Sequence, residues 1–315
     1  MSSYSWFLAA AERGDPYAQF NLALCFKKGQ GVERDERKAF TWMRRSAQQG
    51  IAFAQNHLGA MYYNGCGTRR NDTAAVHWFR SAARQGEASA QQNLGQMYRK
   101  GRGVPRDDTV AAAWFCRAAE QGVPSAQSLL GEAYLTGTGV RRNCQLAAAW
   151  LRKAAVQGEA AAQYLLGTMY ANGTGVTRDP SQALTWYRLA AEQGAPNAQF
   201  SVGVLYANGE GVAKDEAAAV AWYRSAAEQG DASAQNNLGV MYANGQGVGQ
   251  DDAEAVRWYR KAAEQGHPLA QYNLGGMYGS GRGVRRDPAR SRMWIARAAE
   301  AGDETARQWR AERPG

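Results

Sequence analysis

The 315-residue chain offers few side chains for metal or nucleophilic chemistry: three histidines (His57, His77, His267) and four cysteines (Cys25, Cys66, Cys116, Cys144). A zinc site needs ligand pairs at short spacing, and a catalytic thiol needs a base within reach. The cysteines lie 41, 50 and 28 residues apart, which gives neither a zinc pattern nor a ladder of disulfides. Cys25 reads as a small core residue, and Cys66 as the most reactive of the four thiols. One combination would bring together an imidazole, a carboxylate and a thiol: His57, Glu132 and Cys116. No insertion marks a loop that would assemble them, so an enzyme site is the disfavoured alternative. The recurring G-x-G segments follow helical patterns, not strands, so they are not phosphate cradles. No catalytic residue, cofactor or metal is expected.

What positions these residues is a period of 36. Gln19 recurs as Gln55, Gln91, Gln127, Gln163, Gln199, Gln235 and Gln271, with no insertion or deletion. Trp42 recurs as Trp78, Trp114, Trp150, Trp186, Trp222, Trp258 and Trp294, and Trp6 stands one period upstream. The same ruler accounts for most of the 36 glycines.

Residues 232–266 show what one period builds. Ala234, Leu238, Met241 and Tyr242 share a helical face. Asn244-Gly245 ends that helix through a left-handed residue, and Gly247 keeps the connection tight. Asp251 is placed to cap the next helix, whose apolar face is Ala255, Trp258, Tyr259, Ala262 and Ala263. Gly239 and Ala263 are small enough for backbones to approach. Asp179-Pro180 and Asp287-Pro288 put proline at a helix start, where it is tolerated. Such a hairpin cannot bury its own face. Trp258 alone carries roughly 200 Å² of surface, so neighbouring hairpins must cover it.

The pattern A-Q-x-x-L-G-x-M-Y-x-x-G-x-G-V-x-x-D-x-x-x-A-x-x-W-Y-x-x-A-A-x-Q-G resembles the Sel-one-like repeat family, a relative of the tetratricopeptide repeats. The resemblance covers residues 4 to about 310. Departures are local: Thr68 for a loop valine, Asn71 and Asn143 for the cap aspartate, and Ser291 for an alanine. The resemblance implies an all-α fold, a right-handed α-solenoid of eight 36-residue helix-turn-helix repeats with partial capping helices at both ends. The whole chain, 1–315, would form a single repeat domain, with a cap helix at 4–14, repeats over about 15–302 and a cap helix at 303–313. Arg310 replaces a core leucine in the second cap. The family further implies a non-enzymatic scaffold or adaptor that binds another protein. A cysteine-rich branch carries one disulfide per repeat and β-lactam-related activity. This chain lacks those cysteine pairs, so that activity is not carried over.

Specificity belongs where the repeats differ on one face. The residues one, five and eight after each repeat glutamine form a stripe, which in tetratricopeptide-like stacks lines the concave groove. In this chain it includes Lys27, Tyr63, Gln96, Arg99, Glu132, Tyr164, Thr168, Phe200, Val204, Asn236 and Tyr272. Mixed and partly basic in the first half, it pairs aromatics with small residues in the second. A peptide segment or partner helix would fit such a groove. The competing reading is that these aromatics only pack on neighbouring repeats. Asn64, Asn172, Asn208 and Asn244, near the same edge, read first as helix-terminal residues.

Charge is uneven. Residues 1–158 hold 21 Lys and Arg against 11 Asp and Glu, and residues 159–315 hold 16 against 17, so the formal net charge of +9 belongs to the first half. A loop column is basic in seven of eight repeats: Arg34, Arg70, Arg106, Arg142, Arg178, Lys214 and Arg286, with Gln250 the exception. Stacked hairpins would space these about 10 Å apart. Such a ridge suits an acidic protein. It suits nucleic acid or an anionic surface less well, because no nucleic-acid motif accompanies it. The alternative is that each arginine faces the neighbouring cap aspartate and water. No apolar run approaches the roughly 18 residues of a membrane span, and the N-terminus carries no signal-peptide pattern. A cytoplasmic monomer is therefore expected. The combined expectation is an interaction scaffold, in its most specific form a regulatory, antitoxin or immunity-type protein.

Overall fold

Each period folds as two 13-residue helices joined by a short loop. The computed structural model describes residues 3–312, with side chains through Gln308. The first helices are α2 (Pro16–Lys28), α4 (Ala52–Asn64), α6 (Ala88–Lys100), α8 (Pro124–Thr136), α10 (Ala160–Asn172), α12 (Pro196–Asn208), α14 (Ala232–Asn244) and α16 (Pro268–Ser280). The second helices are α3 (Glu36–Gln48), α5 (Asp72–Arg84), α7 (Asp108–Glu120), α9 (Cys144–Val156), α11 (Pro180–Glu192), α13 (Glu216–Glu228), α15 (Asp252–Glu264) and α17 (Pro288–Glu300). Flanking them are α1 (Ser3–Glu12) and α18 (Glu304–Glu312). The architecture is an all-α solenoid, and no strand occurs among the described residues. The side chain of Arg310, and Arg313 at the end of the expected cap, lie outside them.

The helix ends follow their sequence signals. Asp251 accepts from Ala253 and Glu254 N–H at 2.9 and 3.0 Å, and Asn71 and Asn143 cap as aspartate does. Gly245 ends α14 at φ 67°, its N–H donating to Met241 O. The glycine two residues on does more than tighten a loop. A methyl group on Gly103 would stand 2.3 Å from Asp72 O, at the start of the preceding hairpin's second helix. That loop lies against its neighbour with no room for a side chain.

Contacts divide the chain into two compact units, Met1–Gln157 and Gly158–Gly315. In each, the core lies between consecutive hairpins. One cluster in the second unit joins Ala219, Val220 and Tyr223 of α13 to Ala234, Leu238 and Met241 of α14, with Trp258 of α15 closing it. In the first unit α5 and α6 supply Phe79, Leu94 and Met97 in the same way, closed by Trp114. A cation three residues further along the helix lies over several of these indoles: Arg45, Arg117, Lys153, Lys261 and Arg297, at 4.1–4.9 Å from the ring centre. Trp6 of α1 is 58% exposed.

The repeat glutamine ties hairpins together. Its Nε2 donates to an alanine carbonyl eight residues upstream at 3.0–3.3 Å in repeats of both units. Its Oε1 accepts from the glutamine that ends the same repeat, Gln49, Gln85, Gln121, Gln157, Gln193, Gln229 or Gln265, each at 2.8 Å. Buried carboxamides need both bonds to offset desolvation.

One local expectation requires correction. Gly239 does not admit a second backbone. It admits the Tyr259 ring, to which a methyl group would come within 2.7 Å. On the second helices Arg188 forms an i,i+4 ion pair with Glu192 at 3.7 Å. Arg224 and Arg260 instead donate to Tyr242 and Tyr278 hydroxyls on the next hairpin, at 2.8 and 3.2 Å.

Candidate functional site: a series of clefts between hairpins

The stripe residues line openings that recur at equivalent places two repeats apart. In the first unit, Arg99, Phe115, Leu129, Glu132 and Thr136 surround about 110 Å³. In the second, Ala171, Arg178, Tyr187, Phe200, Val204 and Glu210 surround about 460 Å³. Also in the second, Ala243, Tyr259, Tyr272, Gly276, Gly279, Arg282 and Arg286 are among the residues around about 960 Å³. Each opening has an aromatic floor from a second helix: Phe115, Tyr187 or Tyr259. Burial pushes the Tyr259 phenol up to about 12 and raises Tyr187 as well, so both stay neutral donors.

Internal partners fill the clefts to different degrees. Arg99 meets Glu132 at 3.3 Å. Arg178 meets Glu210 at 2.9 Å while its Nε donates to Ala171 O at 3.0 Å. Tyr187 donates to Thr168 Oγ at 3.1 Å, and Tyr164 packs on that ring at 5.6 Å between centres. Phe200 lies 5.8 Å from Tyr223. Tyr63 carries the Arg102 guanidinium 3.9 Å over its face. Asn236 faces inward: it is buried, and Asn273 donates to its Oδ1 at 3.0 Å. Lys27 is exposed, Gln96 and Val204 are half-buried, and Tyr272 lines the largest cleft. Arg282, Arg292 and Ile295 line it too, although none belongs to the stripe. Their sequence signal was a departure from the repeat: position 292 is apolar in every earlier second helix from Phe40 to Val256 and arginine only here.

The basic column is partly neutralised, and not by the cap residue. Arg34, Arg70, Arg106 and Lys214 pair with Glu36, Asp72, Asp108 and Glu216, the residue just inside the helix. Arg142, Arg178 and Arg286 donate from Nε to the carbonyls of Leu135, Ala171 and Gly279 near first-helix ends, at 3.0–3.1 Å.

The alternative catalytic set is not assembled. His57 Nδ1 lies 2.9 Å from Phe53 O with its ring against Phe20. Cys116 Sγ approaches Glu120 at 3.4 Å, and burial, chiefly, raises its thiol above the ordinary value. The cleft that holds Glu132 is lined by neither. Among the described residues no three His, Cys, Asp or Glu side chains are grouped to hold a metal ion, and all four cysteines are free thiols.

The Sel1 repeat model matches residues 2–15, 16–51, 52–87, 88–123, 124–159, 160–194, 196–231, 232–267 and 268–303. The chain belongs to the Sel1 repeat family. Sel1 repeats form a tetratricopeptide-like solenoid that typically acts in protein–protein interaction. Among solved structures the chain is similar to c5321, a protective antigen of uropathogenic Escherichia coli with an SLR fold. The two are 37% identical with a TM-score of 0.90, over 97% of this chain and 66% of that one. It is also similar to a Sel1 repeat protein of Oxalobacter formigenes, 36% identical with a TM-score of 0.72, over 99% of this chain and 90% of that one. This chain thus spans just under two thirds of the antigen's length. A comparison with curated proteins gives no significant match. No helix among the described residues is long and apolar enough to cross a membrane.

Proposed function

We propose that this Sel1 repeat protein is a non-enzymatic scaffold whose first-helix stripe holds a segment of a partner protein. The observation that carries this reading is the recurrence of one cleft at equivalent repeat positions, with an aromatic floor each time and different rims. A shared floor supplies affinity for an apolar side chain, and variable rims supply specificity. The catalytic alternative would need His57, Glu132 and Cys116 together, and neither His57 nor Cys116 lines the cleft of Glu132. In its finer form the protein is a regulatory, antitoxin or immunity-type factor that covers a partner's active surface. A solenoid suits that role because it offers a long interface.

The test is a pull-down from the native host with three baits: the unaltered chain, Val204→Arg in the stripe, and Arg70, Arg106 and Arg142 all changed to Glu. A stoichiometric protein that the first bait retains and the Val204→Arg bait loses is the expected result. Weaker, salt-sensitive retention by the Glu bait would add the basic column as a steering surface. Recovery of nucleic acid alone, or a partner indifferent to Val204→Arg, would overturn the groove reading.

A further inference from the structure

The three clefts share one architecture, and two of them contain a carboxylate of their own. Glu132 meets Arg99 in the first, and Glu210 meets Arg178 in the second. The third has the arginines and no acid. Position 276, equivalent to Glu132, is glycine, position 243, equivalent to Arg99, is alanine, and position 282, equivalent to Glu210, is arginine. A methyl group on Gly276 would meet nothing within 4 Å. Arg286 occupies the column of Arg178 and makes the same bond, Nε to the Gly279 carbonyl at 3.1 Å. Where the Arg178 terminal nitrogen then meets Glu210, Arg286 has no carboxylate within ion-pair distance among the described residues. Arg282 is already committed to Asp252. No Asp or Glu lines the cleft, while Tyr259, Tyr272 and Val240 wall it.

We infer that this cleft takes an internal Asp or Glu side chain of an extended partner segment, flanked by apolar residues. The partner's carboxylate takes the part that Glu210 plays against Arg178 in the second cleft and pairs with Arg286. Arg286 is exposed in the free chain, but its Nε is fixed to the Gly279 carbonyl beside a cleft walled by Tyr259 and Tyr272, and a bound segment that covers it excludes solvent, which strengthens the charge-assisted bond. The site is local: residues 159–315 carry a slight net negative charge, so the surrounding field does not create it. The stripe continues to Phe200 and Val204, so the bound segment runs on past the cleft and the acid is internal rather than C-terminal.

This inference rests on the groove reading, and its test separates the two. The probes are acetylated, amidated octapeptide libraries with apolar residues flanking a fixed fourth position, either Glu or Gln. A third library carries Gln and a free C-terminus. All are passed over the full chain. Arg286→Gln removes the charge and keeps a carboxamide donor, as Gln250 does in the same column, where Nε2 donates to Ala243 O at 3.2 Å. Gly276→Glu adds a fixed negative charge to the lining of the cleft, which repels an acidic guest. The expected result is about tenfold preference for Glu over Gln, lost in both variants without a fall in melting temperature. Equal retention of Glu and Gln libraries, or a Glu preference that survives both variants, overturns the inference. If that equal retention is abolished by Val204→Arg, the groove reading survives. Preference for the free C-terminus overturns the internal-acid assignment, and retention of no library defeats both readings.

Discussion

The cleft at Glu132 and the cleft at Gly276 occupy equivalent repeat positions and differ nearly ninefold in volume, about 110 against 960 Å³. The backbone is not the cause, because both lie between 13-residue helices, and the first helices all end on a left-handed glycine. Side chains are. The first unit fills its stripe with polar pairs that cross between hairpins: Arg99–Glu132, Asn93–Asn56 and Ser125–Gln92. The last two hairpins of the second unit put Ala243, Gly276 and Gly279 there instead. A solenoid can thus vary its binding surface without disturbing its stack, because the residues that hold hairpins together lie on other faces.

Two adjacent glycines give the sharpest test of that separation. A methyl group on Gly275 would come within 2.6 Å of Ile295 Cγ1, whereas one on Gly276 meets open space. Gly275→Ala is therefore expected to cost about 1–3 kcal/mol through overpacking. Gly276→Ala is expected to stabilise α16 by about 0.5–1 kcal/mol, the helix-interior preference for alanine. Gly131→Ala, against Leu151 at 2.6 Å, should behave like Gly275→Ala. Thermal melts of the three variants decide it. If Gly276→Ala destabilises as much as its neighbour, the large cleft is not open.

The period made most of the fold legible. Gln, Gly and cap residues fall at fixed offsets because each makes the same backbone-directed bond in every hairpin. The stripe was legible as a column but not as a set of clefts, since volume depends on which side chains are missing and on what their neighbours do. Asn236 reads as a surface residue by spacing, yet Asn273 draws it inward. Arg224 and Arg260 have acids four residues away and choose tyrosine hydroxyls eighteen residues on. Helical spacing cannot reveal a competitor on another helix. Arg292 stood out only as an arginine in an apolar column.

The glutamine ladder offers a contrast of about 1 kcal/mol. It is complete through Gln235, but Gln271 Oε1 is buried with no partner among the described residues. The partner position, thirty residues on, is Ala301. Ala301 ends α17 at φ −76° and ψ −1°, close to the φ −79° and ψ −1° of Gln265. Ala301→Gln should therefore supply the missing donor and stabilise the final hairpin by about 1 kcal/mol. Gln265→Ala should remove a comparable amount one repeat earlier. Amide exchange in α16 and α17 reads both, and no added protection in Ala301→Gln would mean that the orphaned oxygen is otherwise satisfied.

The smallest effect concerns an ion pair that both units build. Arg102 clasps Asp72 through two bonds, at 2.8 and 2.9 Å, and Arg282 clasps Asp252 at 2.6 and 3.1 Å. The guanidinium bonds hold both carboxyls below the ordinary aspartate value. A depressed carboxyl pKa stabilises the fold at pH values above the unfolded value of about 3.9, and that contribution fades as pH falls through the folded value. Arg102→Gln and Arg282→Gln should each lower the melting temperature most at pH 7, by the equivalent of under about 1 kcal/mol for such solvent-facing pairs. The deficit should shrink from pH 4 downward. The two units should differ in what remains at low pH. Arg102 also covers the Tyr63 ring at 3.9 Å, whereas Arg282 also donates to Ala243 O at 3.0 Å on the edge of the large cleft. Neither contact titrates with acid, so each variant keeps a small pH-independent deficit, and only Arg282→Gln should weaken peptide retention. Deficits that stay constant from pH 7 to pH 3 would show that the carboxylates are not what these arginines stabilise.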